Sequence, residues 1–233
     1  AQAEFVYSDA TNVVDDEGKD EVGINKGPGS HSYAAGCMDK KVEFDTSLTG
    51  DTTARKITLD WETTGCVENG RTKRGKIKAV FDKLYSKTDA ILTVDFENYY
   101  VNDINIDGTI KVKNLGNNTY EFRIINGSLT RPDGKTIKWA CTYTRKTYIT
   151  GNALEDYITI SGGGQGTNIN GMPFTTKITK PVKLTWGCSY ITEGTVEITP
   201  DGKPTRTLDF GNGECDAKAT VTINGNIYNI ALR

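Results

Sequence analysis

At 233 residues the chain is long enough for one large all-β domain or two small ones, and it buries a sizeable core without help from metals. Its 32 Thr, 20 Ile and 13 Val outweigh 13 Ala, 10 Leu and 2 Met, a balance that favours strands over helices. With 28 basic and 30 acidic side chains the formal charge is -2, so no global field draws the chain to nucleic acid or to an anionic membrane. No apolar run reaches the roughly eighteen residues that span a bilayer, and no leader opens the chain, which therefore reads as a soluble or mature product.

In chain order, residues 1–35 are expected to form a polar acidic arm. Glu4, Asp9, Asp15, Asp16, Glu17, Asp20 and Glu21 stand against Lys19, and Gly27-Pro28-Gly29 follows. One short helix is predicted near Ala10 to Asp16. Asp15-Asp16-Glu17 lacks the alternating spacing of a calcium loop, so a solvated arm is the better reading.

Residues 36–233 read as a single all-β domain. Strands are predicted over Ile91 to Val101, Gly108 to Lys113, Thr119 to Ile125, Thr136 to Tyr143, Tyr157 to Ile160, Pro173 to Ile178 and Val182 to Trp186. Turn signals separate them: Ile106-Asp107-Gly108, Leu115-Gly116-Asn117-Asn118, Asn126-Gly127, Pro132-Asp133-Gly134 and Asn170-Gly171. Such consecutive hairpins make either an antiparallel β-sandwich or a long curled β-meander with two related terminal units. The Gly162-Gly163-Gly164-Gln165-Gly166 stretch is the best candidate for a flexible joint, and a bulge or hairpin loop explains it equally well.

The two ends share landmarks. Residues 36–81 carry Gly36-Cys37, Val42, Thr58-Leu59-Asp60-Trp61, Cys66 and Gly75, and residues 187–232 carry Gly187-Cys188, Val196, Thr207-Leu208-Asp209-Phe210, Cys215 and Gly225 in the same order. That order indicates one β unit used twice. It selects Cys37 with Cys66 and Cys188 with Cys215 among the three pairings of four cysteines. Each bridge closes a loop of nearly thirty residues, contributing roughly 3.5 kcal/mol in the chain-entropy model, and implies an oxidising, extracytoplasmic compartment. The alternative is four buried thiols in a cytosolic protein. Cys141, alternating with Trp139 and Tyr143, reads as a buried inert thiol.

Candidate chemistry is sparse. The glycines at 162–166 lack a following helix, so they do not form a phosphate loop. His31 is the only histidine and no Cys-x-x-Cys pair exists, so the pattern asks for no metal and no cofactor. Asp95 and Glu97, two apart on one strand face and roughly 7 Å from each other, are the one carboxylate pair suited to glycoside hydrolysis; an ordinary solvent face is the simpler account. Asp60 and Asp209 are repeat-related and point to a shared structural role. The basic run Arg71, Lys73, Arg74, Lys76, Lys78, Lys83 and Lys87 offers no interleaved aromatic platform of the kind single-stranded nucleic acid requires, and alternation puts Lys76 and Lys78 on one exposed face. Trp61, Trp139 and Trp186 sit in alternating strands, where core packing is the default. Asn117-Asn118-Thr119 and Asn126-Gly127-Ser128 match the N-glycosylation pattern and also read as turns.

Through Gly36-Cys37, Thr58-Leu59-Asp60-Trp61, Cys66, Phe96-Glu97-Asn98-Tyr99-Tyr100-Val101, Asp107-Gly108-Thr109, Gly166-Thr167-Asn168-Ile169-Asn170-Gly171 and the run from Thr207 to Asp216, the chain resembles a group of uncharacterised secreted proteins and lipoproteins from Bacteroidota. The resemblance implies export, often with an outer-membrane lipid anchor as the membrane association, and supplies no active-site residues. The expectation is a non-enzymatic, extracytoplasmic cell-surface binding or assembly component, in the periplasm, on the outer-membrane surface or secreted. Its partner would be an envelope protein, a glycan or copies of itself, and not nucleic acid. The rival readings are a carbohydrate-binding module or carboxylate-based hydrolase, and a self-assembling structural subunit that exchanges its N-terminal arm.

Overall fold

The computed structural model describes residues 38–44, 55–68 and 70–232. The acidic arm with its expected helix, His31 and Cys37 lie outside the described residues. The strands are β1 (Asp39–Phe44), β2 (Arg55–Asp60), β3 (Cys66–Glu68), β4 (Arg71–Phe81), β5 (Ile91–Val101), β6 (Ile104–Gly116) and β7 (Thr119–Thr130), then β8 (Thr136–Tyr148), β9 (Tyr157–Thr167), β10 (Pro173–Thr185), β11 (Ile191–Pro200), β12 (Arg206–Asn212), β13 (Lys218–Ile223) and β14 (Asn226–Ala231). There is no helix among the described residues.

All strands join one antiparallel sheet whose spatial order follows the chain, except that β3 pairs only with β4. The sheet is a continuous meander and does not close: β1 and β14 are its two ends. Register carries one row of side chains across most of it. Phe81, Leu92, Val112, Phe122, Tyr143, Gly162, Ile178, Val196, Leu208, Val221 and Tyr228 stand opposite one another in succession from β4 to β14. Period-two alternation in the sequence therefore becomes one apolar face.

Three connections are two-residue hairpins with both central residues at positive φ: Asn102-Asp103, Asn117-Asn118 and Asn224-Gly225. This is type I′ chemistry, whose twist matches that of the flanking strands. Two expected turns are not turns. Asp107-Gly108 lies inside β6 and Asn126-Gly127 inside β7, each at a register shift. With Gly75 in β4 and Asn98 in β5 they form a seam of bulges crossing four neighbouring strands. A Cβ on Gly108 would lie 2.7 Å from the Gly127 Cα, so the bulges nest backbone against backbone. Bulges bend a strand and increase its twist, which coils this part of the sheet about its apolar face.

The core follows that seam. Ile57, Leu59, Ile77, Leu92, Val94 and Val112 are 0% exposed, and Trp61, Tyr99, Ile106 and Trp139 pack with them. In the second half the buried members of the hydrophobic cluster are Val182, Phe210 and Ala219, packed against half-buried Ile160, Ile178, Leu184, Val196 and Leu208. The repeat-related Trp61 and Phe210 thus enter different cores, one in each half. The strands after Gly75 and Gly225 also differ in place: β4 pairs directly with β2, whereas β14 is the outer strand beyond β13.

Candidate binding groove

The stretch Gly162 to Gly166 belongs to β9 and is hydrogen-bonded on both sides, to β8 and β10. Glycine is required there because neighbours occupy the space of a side chain. A Cβ on Gly164 would meet the Ala140 carbonyl oxygen at 2.6 Å, the Cys141 Cβ at 2.7 Å and the Trp139 Cζ2 at 3.0 Å. On Gly166 it would meet the Trp139 Cε3 at 3.1 Å. The indole lies along this bare strand, and Phe174 reaches it from β10, with ring centroids 5.5 Å apart and planes 21° apart. Aromatic rings thus cover backbone that glycine leaves uncovered.

Above this floor runs a groove of about 910 Å³ crossing β7 to β11. Register sets Gly127, Trp139, Gly166, Phe174 and Pro200 in one row beneath it. Ser128, Lys138, Gln165, Thr175 and Thr199 border it too, but their side chains alternate to the opposite face of the sheet, and Asn126, Asp201 and Lys203 are its other polar lining residues. Two buried polar atoms flank Gly164 without a hydrogen-bond partner, Trp139 Nε1 and Thr176 Oγ1. Sequence reasoning passed over the groove because Trp139 read as core, which it is, at 5% exposure. The missed signal was the pairing of that aromatic with a strand of glycines.

The expected carboxylate pair lies away from the groove. Asp95 and Glu97 project from the exposed face of β5, opposite Lys78 and Lys76 of β4. Asp95 Oδ1 accepts a hydrogen bond from Thr109 Oγ1 at 2.6 Å. Glu97 forms an ion pair with Lys78, which holds its carboxyl below the usual range and keeps it ionised at neutral pH. Lys76 pairs with Asp60 at 2.7 Å and lowers that carboxyl likewise. The basic run on this face is therefore half of a cross-strand charge ladder in which Lys78 engages Glu97.

Asp60 and Asp209 play the same local part. Asp60 Oδ1 accepts the Glu62 N–H at 2.8 Å and Asp209 Oδ1 accepts the Gly211 N–H at 2.8 Å, each donor two residues on and at positive φ. Asp60 does so at the end of β2, and Asp209 at a register shift within β12. Cys188 and Cys215 form a disulfide with Cα atoms 5.7 Å apart. Cys66 is also disulfide-bonded, while Cys37 of the expected pair lies outside the described residues. Cys141 is a buried thiol. A disulfide points to an oxidising, extracytoplasmic environment, and no described helix is long and apolar enough to cross a membrane.

Two residues depart from expectation. Trp186 is 48% exposed, because β10 stops at Thr185 and the Trp186 N–H is tied to the Asp156 carbonyl at 2.9 Å in the following turn. Lys73, inside the basic run, is buried. Its ammonium lies 3.5 Å from Glu68 Oε2 and 5.4 Å from the Trp61 ring centroid. Alternation through Lys73, Gly75, Ile77, Ala79 and Phe81 carries this signal, since all five face inward. Comparison of the chain with protein-family models, with curated proteins and with solved structures finds no match.

Proposed function

We propose that the protein is a non-enzymatic, extracytoplasmic binding component of the cell envelope that holds an uncharged oligosaccharide in the groove over β7 to β11. The observation that carries this reading is the groove's floor, Trp139 stacked on Phe174 with Pro200 in the same row, beside the polar lining residues Asn126, Asp201 and Lys203. A sugar presents C–H faces to aromatic rings and hydroxyls to amides, so both of its surfaces find partners here. Likeness to exported Bacteroidota proteins and the Cys188–Cys215 bridge are both in keeping with an envelope location. Isothermal titration against neutral oligosaccharides tests the reading. Phe174→Ala should weaken binding by about tenfold with little change in melting temperature, and Asp95→Asn with Glu97→Gln should leave it unchanged. Absence of binding by every neutral oligosaccharide, or loss of binding in the carboxylate variant alone, would overturn it.

A further inference from the structure

The two ends of the sheet are not alike. β1 carries Asp39, Lys40, Lys41 and Glu43, with Lys41 and Glu43 paired at 2.9 Å, and charge along an edge discourages strand addition. β14 reads Asn-Ile-Tyr-Asn-Ile-Ala, with no charge and no proline, and every residue is exposed. Ile227 is 69% and Tyr228 53% exposed. Nothing on β14 guards its outer side.

The direction of its backbone groups follows from one bond. The Leu232 N–H donates to the Ala217 carbonyl at 2.7 Å, in step with the Lys218–Ala231 register. Antiparallel alternation then turns the N–H and C=O of Tyr228 and Ile230 toward β13, and those of Ile227, Asn229 and Ala231 outward.

We infer that β14 is a self-complementary edge on which a second copy of this chain adds, antiparallel, about a two-fold axis through Asn229 and normal to the sheet. In that register Asn229 faces its own counterpart and Ile227 faces Ala231, so each outward residue exchanges both of its backbone hydrogen bonds. Tyr228 then stands opposite Ile230 on the same face, twice, in the closer, non-hydrogen-bonded kind of pair, an aromatic against a β-branched side chain. The pairing extends an existing row, because Tyr228 is already opposite Val221, and Val221 opposite Leu208. A second copy suits the edge better than a charged partner peptide, since β14 offers no charge to read. A two-fold contact also closes on itself and stops at the dimer, whereas addition of β14 to the charged β1 edge of a neighbour would run on as a polymer.

Sedimentation equilibrium of the 233-residue chain over a wide concentration range tests the inference. A reversible dimer is expected. Asn229→Pro removes an outward N–H without touching the bonds to β13, and proline is tolerated at such a position of an edge strand. It should weaken association by roughly thirtyfold while the melting temperature holds. Should that variant fold poorly, Ile227→Lys places charge on the same edge with its side chain already in water. Asn229→Cys should crosslink the dimer on mild oxidation and Tyr228→Cys should not. A monomer at all concentrations, an open-ended polymer, or a dimer insensitive to both edge variants would overturn the inference, and none of these outcomes depends on whether the groove binds sugar.

Discussion

The two halves of the sheet share connectivity and alternation yet differ in depth. In β2 to β6 the inward residues Leu59, Ile77, Leu92 and Val112 lose all contact with water, while Ile178, Val196 and Leu208, in the same kind of strand, keep part of theirs. Composition does not explain this, since both sets are aliphatic. The bulge seam through Gly75, Asn98, Gly108 and Asn126 does: it coils the first half about its own apolar face. The second half has register shifts in β10 and β11 around Lys180 and Gly194, but it gives β9 to glycines and gathers only a small core around Phe210. Its cohesion then rests more on backbone pairing and on the Cys188–Cys215 bridge.

Substitutions sharpen the contrast. The largest loss is expected for Lys73→Ala, which removes the ammonium over Trp61, leaves Glu68 as an uncompensated buried charge and should cost about 3–5 kcal/mol by denaturant titration. Lys73→Met combined with Glu68→Leu should recover most of that. Removing the Cys188–Cys215 bridge opens a loop of 27 residues and should cost about 3.5 kcal/mol, with β11 to β14 loosening before β4 to β7. Leu59→Ala should cost about 3 kcal/mol and the repeat-related Leu208→Ala only about 1 kcal/mol; equal losses would erase the distinction between the halves.

The smallest effect is electrostatic. Asp60 and Glu97 are held below the ordinary carboxylate range by Lys76 and Lys78, so each stabilises the fold above its unfolded-state pKa and loses that contribution as pH falls through its folded-state value. Melting temperature should therefore decline on acidification below the usual carboxylate range, and Asp60→Asn with Glu97→Gln should flatten the decline. Both groups lie at the surface, so the effect should also shrink in high salt.

Much of this fold is written in plain alternation. Ile91 to Val101 reads as a strand of those bounds, and Asn117-Asn118 reads as the turn it is. Asp107-Gly108 and Asn126-Gly127 mislead because positive φ serves hairpin turns and bulges equally, and only the neighbouring strands decide which. β9 was legible only to Ile160, since four of its seven later residues are glycines with no side chain to alternate, and partners on both sides hold them as a strand. The groove was hidden for the same reason, its floor being defined by the absence of side chains at Gly164 and Gly166. The sequential order of the strands is long-range information that alternation does not encode, and it is consistent with both expected architectures, the sandwich and the curled meander.

Native-state hydrogen exchange, read strand by strand, tests the division between a coiled, deeply buried half and an open one most directly. Amides of β4 to β6 should exchange only through global unfolding, and those of β12 to β14 through local opening at least about a hundredfold more often. Equal protection in both sets would contradict the account.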